Sequence, residues 1–364
     1  MKKLNFEAPI NSLSLGNVSI NFLRAIYEKK EDIDLTMFPV GERAEFTAYD
    51  KIDSNFKNWI TNSAFNRLKK YSSDSPTLKV WHINGSEKQI GRNQYLYTFY
   101  EVDSPTEEEI NIVKAQKHVF FSCSEAAEIF KEKGCDNVSY VPLGFDKDFG
   151  NVDKDYGMED TVHFGLIGKF ERRKNTQALI QLWLNEFGNN SKYHLTCLVN
   201  NPFFKDEHYK KAISTCLMGK DWNNVSFIPH LKTNSEVNDL MNSVDVNLSG
   251  LSNGEGWNLP AFNSAALGKW PIVSNCSSHK DWATKENSIL IEPSGKQPCY
   301  DNLFFKEGDS FNQGQYYRLD GQDIVEAMRK SIDLAKTPNK EGRKLQKKFT
   351  YKKTIDKIFK IIFK

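Results

Sequence analysis

The chain predicts an α/β protein of two doubly wound domains, each a parallel sheet covered by crossover helices. Three observations carry that expectation. Short runs rich in β-branched and aromatic residues alternate with helical patterns along most of the 364 residues. The alternation breaks once, in a polar, acidic, glycine-containing stretch at 146–160, and then starts again. The composition, 39% hydrophobic and 13% aromatic, suffices for two cores. Parallel strands with crossover helices are the economical solution, because each helix covers a face of the sheet.

The N-terminal half opens on a strand, turn, helix and strand unit. Its turn is Asn11-Ser12-Leu13-Ser14-Leu15-Gly16-Asn17; in 17–27, Val18, Phe22, Leu23 and Ile26 share one helical face, and 33–40 is an extended apolar segment. Strands are expected at 78–83, 95–100, 118–122 and 138–141, with a helix at 124–133. Past the break come a strand at 162–167, a turn at 168–175 and a helix at 176–187, then strands at 195–199, 225–228, 244–248, 271–274 and 288–291. Residues 254–268 read as a Glu-Gly turn feeding a helix, with Pro260 in its first turn, Phe262, Ala265 and Ala266 at helical spacing and Gly268 as its stop. In 344–364, Leu345, Phe349, Ile355, Phe359 and Ile362 fall among lysines as an amphipathic helix. The expected domains are 1–150, 151–335 and a basic C-terminal helix at 336–364.

The net charge of +2 is uneven: residues 340–364 hold ten Lys and Arg against Glu341 and Asp356, a local +8, which leaves −6 on residues 1–339. The six cysteines show no close pair and no metal-ligand spacing, which points to reduced thiols and a cytoplasmic protein. The first residues lack the apolar core of a signal peptide, and no apolar run approaches the length of a membrane span. A Gly-x-Gly-x-x-Gly after the first strand and a Gly-x-x-x-x-Gly-Lys-Ser/Thr are both missing, which argues against a dinucleotide oxidoreductase and a P-loop NTPase.

Two segments carry chemistry. At 254–268, the free N–H groups of Asn258, Leu259 and the residues after Pro260 suit phosphate oxygens, and Glu255 just ahead can accept from hydroxyls. That pairing suits a sugar attached to a phosphate. The turn Gly168-Lys169-Phe170-Glu171-Arg172-Arg173-Lys174-Asn175 joins a strand to a helix with four cations in six residues, a pattern that an anion between them would relieve.

The order of these segments resembles the retaining glycosyltransferases of the two-Rossmann-domain architecture (GT-B), the large family 4 type in particular, over about 162–293. The family's Gly-Arg-Leu-x-x-x-Lys turn is similar to Gly168, Lys169 and Phe170 followed by Lys174, with Lys169 in place of the Arg. Its Ser-x-x-Glu-Gly-Phe-Gly-Leu-Pro is similar to Ser252 through Pro260, with Trp257 and Asn258 in place of the Phe and Gly. Pro142-Leu143-Gly144-Phe145-Asp146 resembles the family's Pro-x-Gly-x-Asp entry to the linker. The resemblance implies transfer of a sugar from a nucleotide-diphosphate sugar, a UDP-sugar foremost, with retention and with neither metal nor other cofactor.

It also implies site residues. Lys169 and Lys174 would face the donor diphosphate and Glu255 the donor sugar. Gly16, Gly168, Arg173, Gly256, Trp257, Asn258, Leu259 and Pro260 would frame the donor, with His230 and Leu231 at its base. Where such enzymes carry a His after a central strand, this chain has Tyr100 and Glu101; His82, ending another strand, is a second candidate. The family's second Glu, which bonds the ribose, is replaced by Asn263, which keeps hydrogen bonding but loses charge. The last helix would cross back onto the N-terminal domain. The acceptor stays open among a glycan, a lipid and DNA, and the tail's lysines are either solvated or in contact with an anionic surface. Two rival readings remain: a phage-type glycosyltransferase of hydroxymethylated DNA bases, suggested by the basic tail, and a non-catalytic nucleotide-sugar binder, suggested by Asn263.

Overall fold

The strand-forming runs pair into two six-stranded sheets. In the first, β1 (Lys2–Ile10), β2 (Ile33–Ala44), β3 (Thr77–Val80), β4 (Gln94–Thr98), β5 (His118–Phe121) and β6 (Val138–Tyr140) take the order β2-β1-β3-β4-β5-β6. Helices α1 (Ser14–Tyr27), α2 (Ser54–Phe65), α3 (Arg67–Lys70), α4 (Glu107–Lys114) and α5 (Ser124–Glu132) connect them. In the second, β7 (Val162–Ile167), β8 (Tyr193–Leu198), β9 (Val225–Phe227), β10 (Val246–Gly250), β11 (Trp270–Ser274) and β12 (Ile289–Ile291) take the order β12-β11-β10-β7-β8-β9. Helices α6 (Thr176–Phe187), α7 (Asp206–Cys216), α8 (Asn234–Ser243) and α9 (Leu259–Ala266) lie between those strands. Every pairing within both sheets is parallel. The computed structural model describes all residues except Asp155 and Pro229, and only the backbone of Glu42.

This topology fixes where a ligand can sit. Strand order reverses beside β1 in the first sheet and beside β7 in the second, and in open parallel sheets the crevice at such a reversal lies beyond the carboxyl ends of the strands. The segments just past β1, β7 and β10 are 11–13, 168–175 and 251–258, so both segments singled out in the sequence meet at one place.

A hairpin of β13 (Gly295–Pro298) and β14 (Gln315–Arg318) follows β12, a pair that no alternation in the sequence predicts. It leaves the second domain and attaches to the first: Asp103 pairs with Lys296 at 2.8 Å and accepts from the Gln315 N–H at 2.8 Å, and Glu109 accepts from the Asn312 N–H at 2.9 Å. Then come α10 (Gly321–Ile332), α11 (Lys340–Arg343), α12 (Leu345–Lys348) and α13 (Tyr351–Ile362).

The single helix expected over 344–364 is therefore broken. Phe349 is extended, at φ −113° and ψ 109°, and Thr350 caps α13 by accepting from the Lys353 N–H. The break turns the Phe349 ring into an aromatic cluster with Trp257 and Phe262, at 5.5 and 5.7 Å between centroids. Beyond it, α13 buries Tyr351, Thr354, Ile355, Ile358 and Ile362 in the first domain's core, so the chain does cross back. Gly144 makes that crossing close: a Cβ there would lie 2.2 Å from the Tyr351 nitrogen. The six cysteines are buried and unpaired, and among the described residues no helix is long and apolar enough to cross a membrane.

His163, buried in β7, sits between the Ser243 carbonyl (2.9 Å from Nδ1) and the Thr196 hydroxyl (2.7 Å from Nε2). Those partners fit a neutral ring, and burial pushes its pKa down to about 4. The unfolded chain takes up that proton from about pH 6.5, so stability falls as pH drops from 6.5 towards 4, by up to about 3 kcal/mol for one such group. Urea unfolding of wild type and His163→Asn across that range checks this: the variant is less stable at pH 7 and loses less on acidification.

Candidate active site at the domain cleft

A cavity of about 550 Å³ opens between the domains. From the first domain it is lined by the turn after β1 (Ser12, Leu13, Ser14, Asn17) and by Asp146; from the second, by Gly168, Lys169, His230, Leu231, Leu259, Pro260 and Asn263, among others. The start of α1 has no side-chain cap, so its first N–H groups are free to meet an anion. Gly16 serves the turn's own packing: a Cβ there would lie 2.1 Å from the Asn11 carbonyl oxygen.

Glu255 stands at the centre of a buried charge cluster. Lys174 Nζ lies 2.6 Å from its Oε1 and Arg173 Nη1 3.1 Å from its Oε2, and its backbone N–H donates to the Ser277 hydroxyl at 3.0 Å. Burial alone would raise the Glu255 pKa; Lys174, then Arg173, overcome it and hold the carboxyl at about 2. Glu255 is a carboxylate at any working pH, a hydrogen-bond acceptor and not an acid.

Arg173, expected on the donor, is instead buried, and both terminal nitrogens of its guanidinium are taken by the protein. It reaches the Gly254 carbonyl, Glu171 at 2.7 Å and Glu101 of the first domain at 3.2 Å, besides Glu255. Burial pushes Glu101 up against the pull of Arg173, with Glu255 and Glu171 adding to the rise. The glycines flanking Glu255 permit this docking, since a Cβ on Gly254 would lie 2.6 Å from the Glu101 carbonyl oxygen and one on Gly256 2.6 Å from the Phe99 ring. Ser122 then donates to the Gly256 carbonyl at 2.6 Å.

Asn258 takes the left-handed conformation at φ 65° and caps α9 through the Ala261 N–H. Its amide donates to the Ser249 carbonyl at 2.8 Å and to His279 Nε2 at 3.0 Å. Burial lowers the His279 pKa to about 4, which keeps that nitrogen an acceptor while Nδ1 donates to the Ser274 carbonyl. Trp257 is 1% exposed and lies in the interdomain cluster, away from the cavity. Asn263 does reach the cavity; it is 3% exposed and its Oδ1 has no hydrogen-bond partner. A buried amide oxygen without a partner is uncommon, and this one belongs to a residue of the cavity lining.

Lys169 also lines the cavity, with Nζ 5.0 Å from the centre of the Phe304 ring and 5.8 Å from that of Phe203. His82 is exposed, within electrostatic range of Lys169. Tyr100 is not brought to the cleft: its hydroxyl points to Glu109 at 3.4 Å and its ring packs on Phe130 in the first domain's core. Neighbours in an extended chain face opposite ways, so Glu101 reaches Arg173 and Tyr100 cannot.

Asp146, expected only as part of the linker entry, also lines the cavity, as do Asn200, Asn201 and Asn234, which were not singled out from the sequence. Burial, then Asp148, pushes Asp146 up to about 6. Asn200 and Asn201 lie just past β8, so inspecting the residues after each strand would have found them. Among the described residues no cluster of three or more His, Cys, Asp or Glu is placed to hold a metal ion.

No family model and no curated protein sequence matches the chain. Solved structures match it from end to end. Sucrose-phosphate synthase from Thermosynechococcus elongatus is 13% identical, covering 100% of this chain and 99% of its own, with a TM-score of 0.67. HepE from Anabaena, in complex with UDP and glucose, is 10% identical with 100% of both chains covered and a TM-score of 0.68. A UDP-forming α,α-trehalose-phosphate synthase from Burkholderia vietnamiensis is 8% identical, covering 100% of this chain and 96% of its own, with a TM-score of 0.66. The chain has the GT-B fold: two Rossmann-like domains facing across a cleft.

Removing the Arg173 guanidinium would leave three carboxylates facing one another. Arg173→Met should cost about 3–5 kcal/mol in urea unfolding, while Glu101→Gln, which keeps the packing and removes one carboxylate charge, should cost far less.

Proposed function

We propose that the chain transfers a sugar from a nucleotide-diphosphate sugar, a UDP-sugar foremost, to an acceptor hydroxyl with retention at the anomeric carbon. The observation that carries this is Glu255, ionised beneath Lys174 just ahead of α9, the helix whose Leu259, Pro260 and Asn263 line a cavity sized for a nucleotide sugar. Structures of the same fold hold UDP with glucose, and UDP-glucose.

The roles follow from the groups present. Glu255 accepts from hydroxyls of the donor sugar and fixes its orientation. Lys174 has three N–H donors and can bridge Glu255 and a phosphate oxygen, and Lys169 of the same turn lines the cavity. As the bond from sugar to diphosphate breaks, these cations and the free N–H groups of α1 meet the charge that develops on the leaving group. Supplied by side chains, that stabilisation calls for no metal. Asn263, on the cavity lining, bonds a ribose hydroxyl, and His230 and Leu231 flank the base. Enclosure between the domains limits donor hydrolysis.

A panel of UDP-, GDP- and ADP-sugars tests the reading: turnover or slow hydrolysis with at least one is expected, insensitive to EDTA, and the product anomer, read by NMR, should match the donor. The reading fails if none turns over and none raises the melting temperature. Glu255→Gln should lower kcat about 100-fold or more, and Lys169→Ala about 10- to 100-fold. Asn263→Ala should weaken donor binding about tenfold with little change in kcat. Donor binding without turnover, unchanged in Asn263→Glu, would instead mark a binding protein.

A further inference from the structure

A patch far from the cleft suits a different partner. At the end of α2 the buried stripe Phe56, Ile60 and Ser63 faces the core, but Phe65, its last residue, and Leu68, three residues on in α3, are 85% and 81% exposed. Single exposed apolar side chains are common, whereas two large ones side by side at such exposure are not. They are interleaved with Arg67, Lys69 and Lys70 of α3, a helix that buries none of its residues. Lys70 pairs with Asp34 at 2.8 Å; Arg67 and Lys69 have no acidic partner within 4 Å among the described residues.

The cations extend along the sheet. Asp34 lies beside Lys3 in the register of β1 with β2, and Lys2 is exposed over the Phe363 ring, 4.9 Å from its centre, where the chain ends at Lys364. This is the end of the first sheet at which the strands begin, opposite the cleft. We propose that Phe65 and Leu68, with Arg67 and Lys69 beside them, dock the protein onto an anionic phospholipid surface. Both side chains protrude where α2 gives way to α3. That shape suits insertion between headgroups, with the apolar tips at the acyl boundary and the cations at lipid phosphates. Docked by this end, the molecule keeps its cleft open to donor and acceptor.

Co-sedimentation of the full chain with vesicles tests it. Binding is expected to phosphatidylcholine vesicles doped with phosphatidylglycerol, weakened by salt, and absent with phosphatidylcholine alone. The double variant Phe65→Ser/Leu68→Ser should lower binding by more than about tenfold, and Arg67→Gln/Lys69→Gln by a smaller factor, with urea unfolding and donor turnover in solution unchanged in both. Three results would overturn the proposal: no binding by the wild type, binding that survives Phe65→Ser/Leu68→Ser but is lost in Lys360→Gln/Lys364→Gln, and a wild-type dimer in sedimentation velocity that Phe65→Ser/Leu68→Ser dissolves. The readout is lipid binding, so it stands or falls apart from sugar transfer.

Discussion

The buried guanidinium of Arg173 is the interaction on which the cleft depends. It is the cation that touches Glu171, the Gly254 carbonyl, Glu255 and, across the domain boundary, Glu101. Three carboxylates in one place would repel one another without a cation between them. Arg173 and Lys174 between them keep Glu255 ionised and bind the Glu255 loop to the end of β4. Arg suits this position because its planar group presents several donors at fixed angles, which a single ammonium cannot.

Around that centre the domains are held by close backbone approach and by reach. Gly254 and Gly256 let the loop lie against Glu101 and Phe99, and Gly144 lets the crossing helix start against the linker. The β13–β14 excursion adds a second attachment through Asp103 and Glu109, and Ser124 donates its hydroxyl and N–H to Asp281 at 2.5 and 2.9 Å. Domains joined in so many places form a pre-shaped cleft, so little ordering is left to be done when a donor enters.

Much of this was legible in the residue order. Alternating strands and helices, the break near 146–160 and the amphipathic pattern of the tail follow from period and composition, signals that survive because sheets and helices impose them locally; the crossing of the last helix was an expectation of the family resemblance alone. The hairpin was not legible, since strands of four residues partly exposed at an edge carry little apolar alternation. Nor was the interruption of the last helix, whose lysines and apolar residues keep helical spacing straight through Phe349. That ring leaves the helix because the aromatic cluster of Trp257 and Phe262 gives it a better place, a preference that exists only after folding.

The sequence by itself determined that a Glu-Gly turn precedes a helix, that cations crowd the turn after β7, and that Asn263 is spaced to follow Glu255. It could not sort those cations, because adjacent side chains leave a turn in different directions and only the surrounding protein decides which are buried. Tertiary structure sent Arg173 inward to the carboxylates, Lys174 to Glu255 and Lys169 to the cavity. By the same rule it turned Tyr100 into the core and Glu101 towards Arg173, and left the buried Asn263 oxygen without a partner among the described residues. Burial and charge pairing are properties of neighbours in space, and they separated residues that stand side by side in the chain.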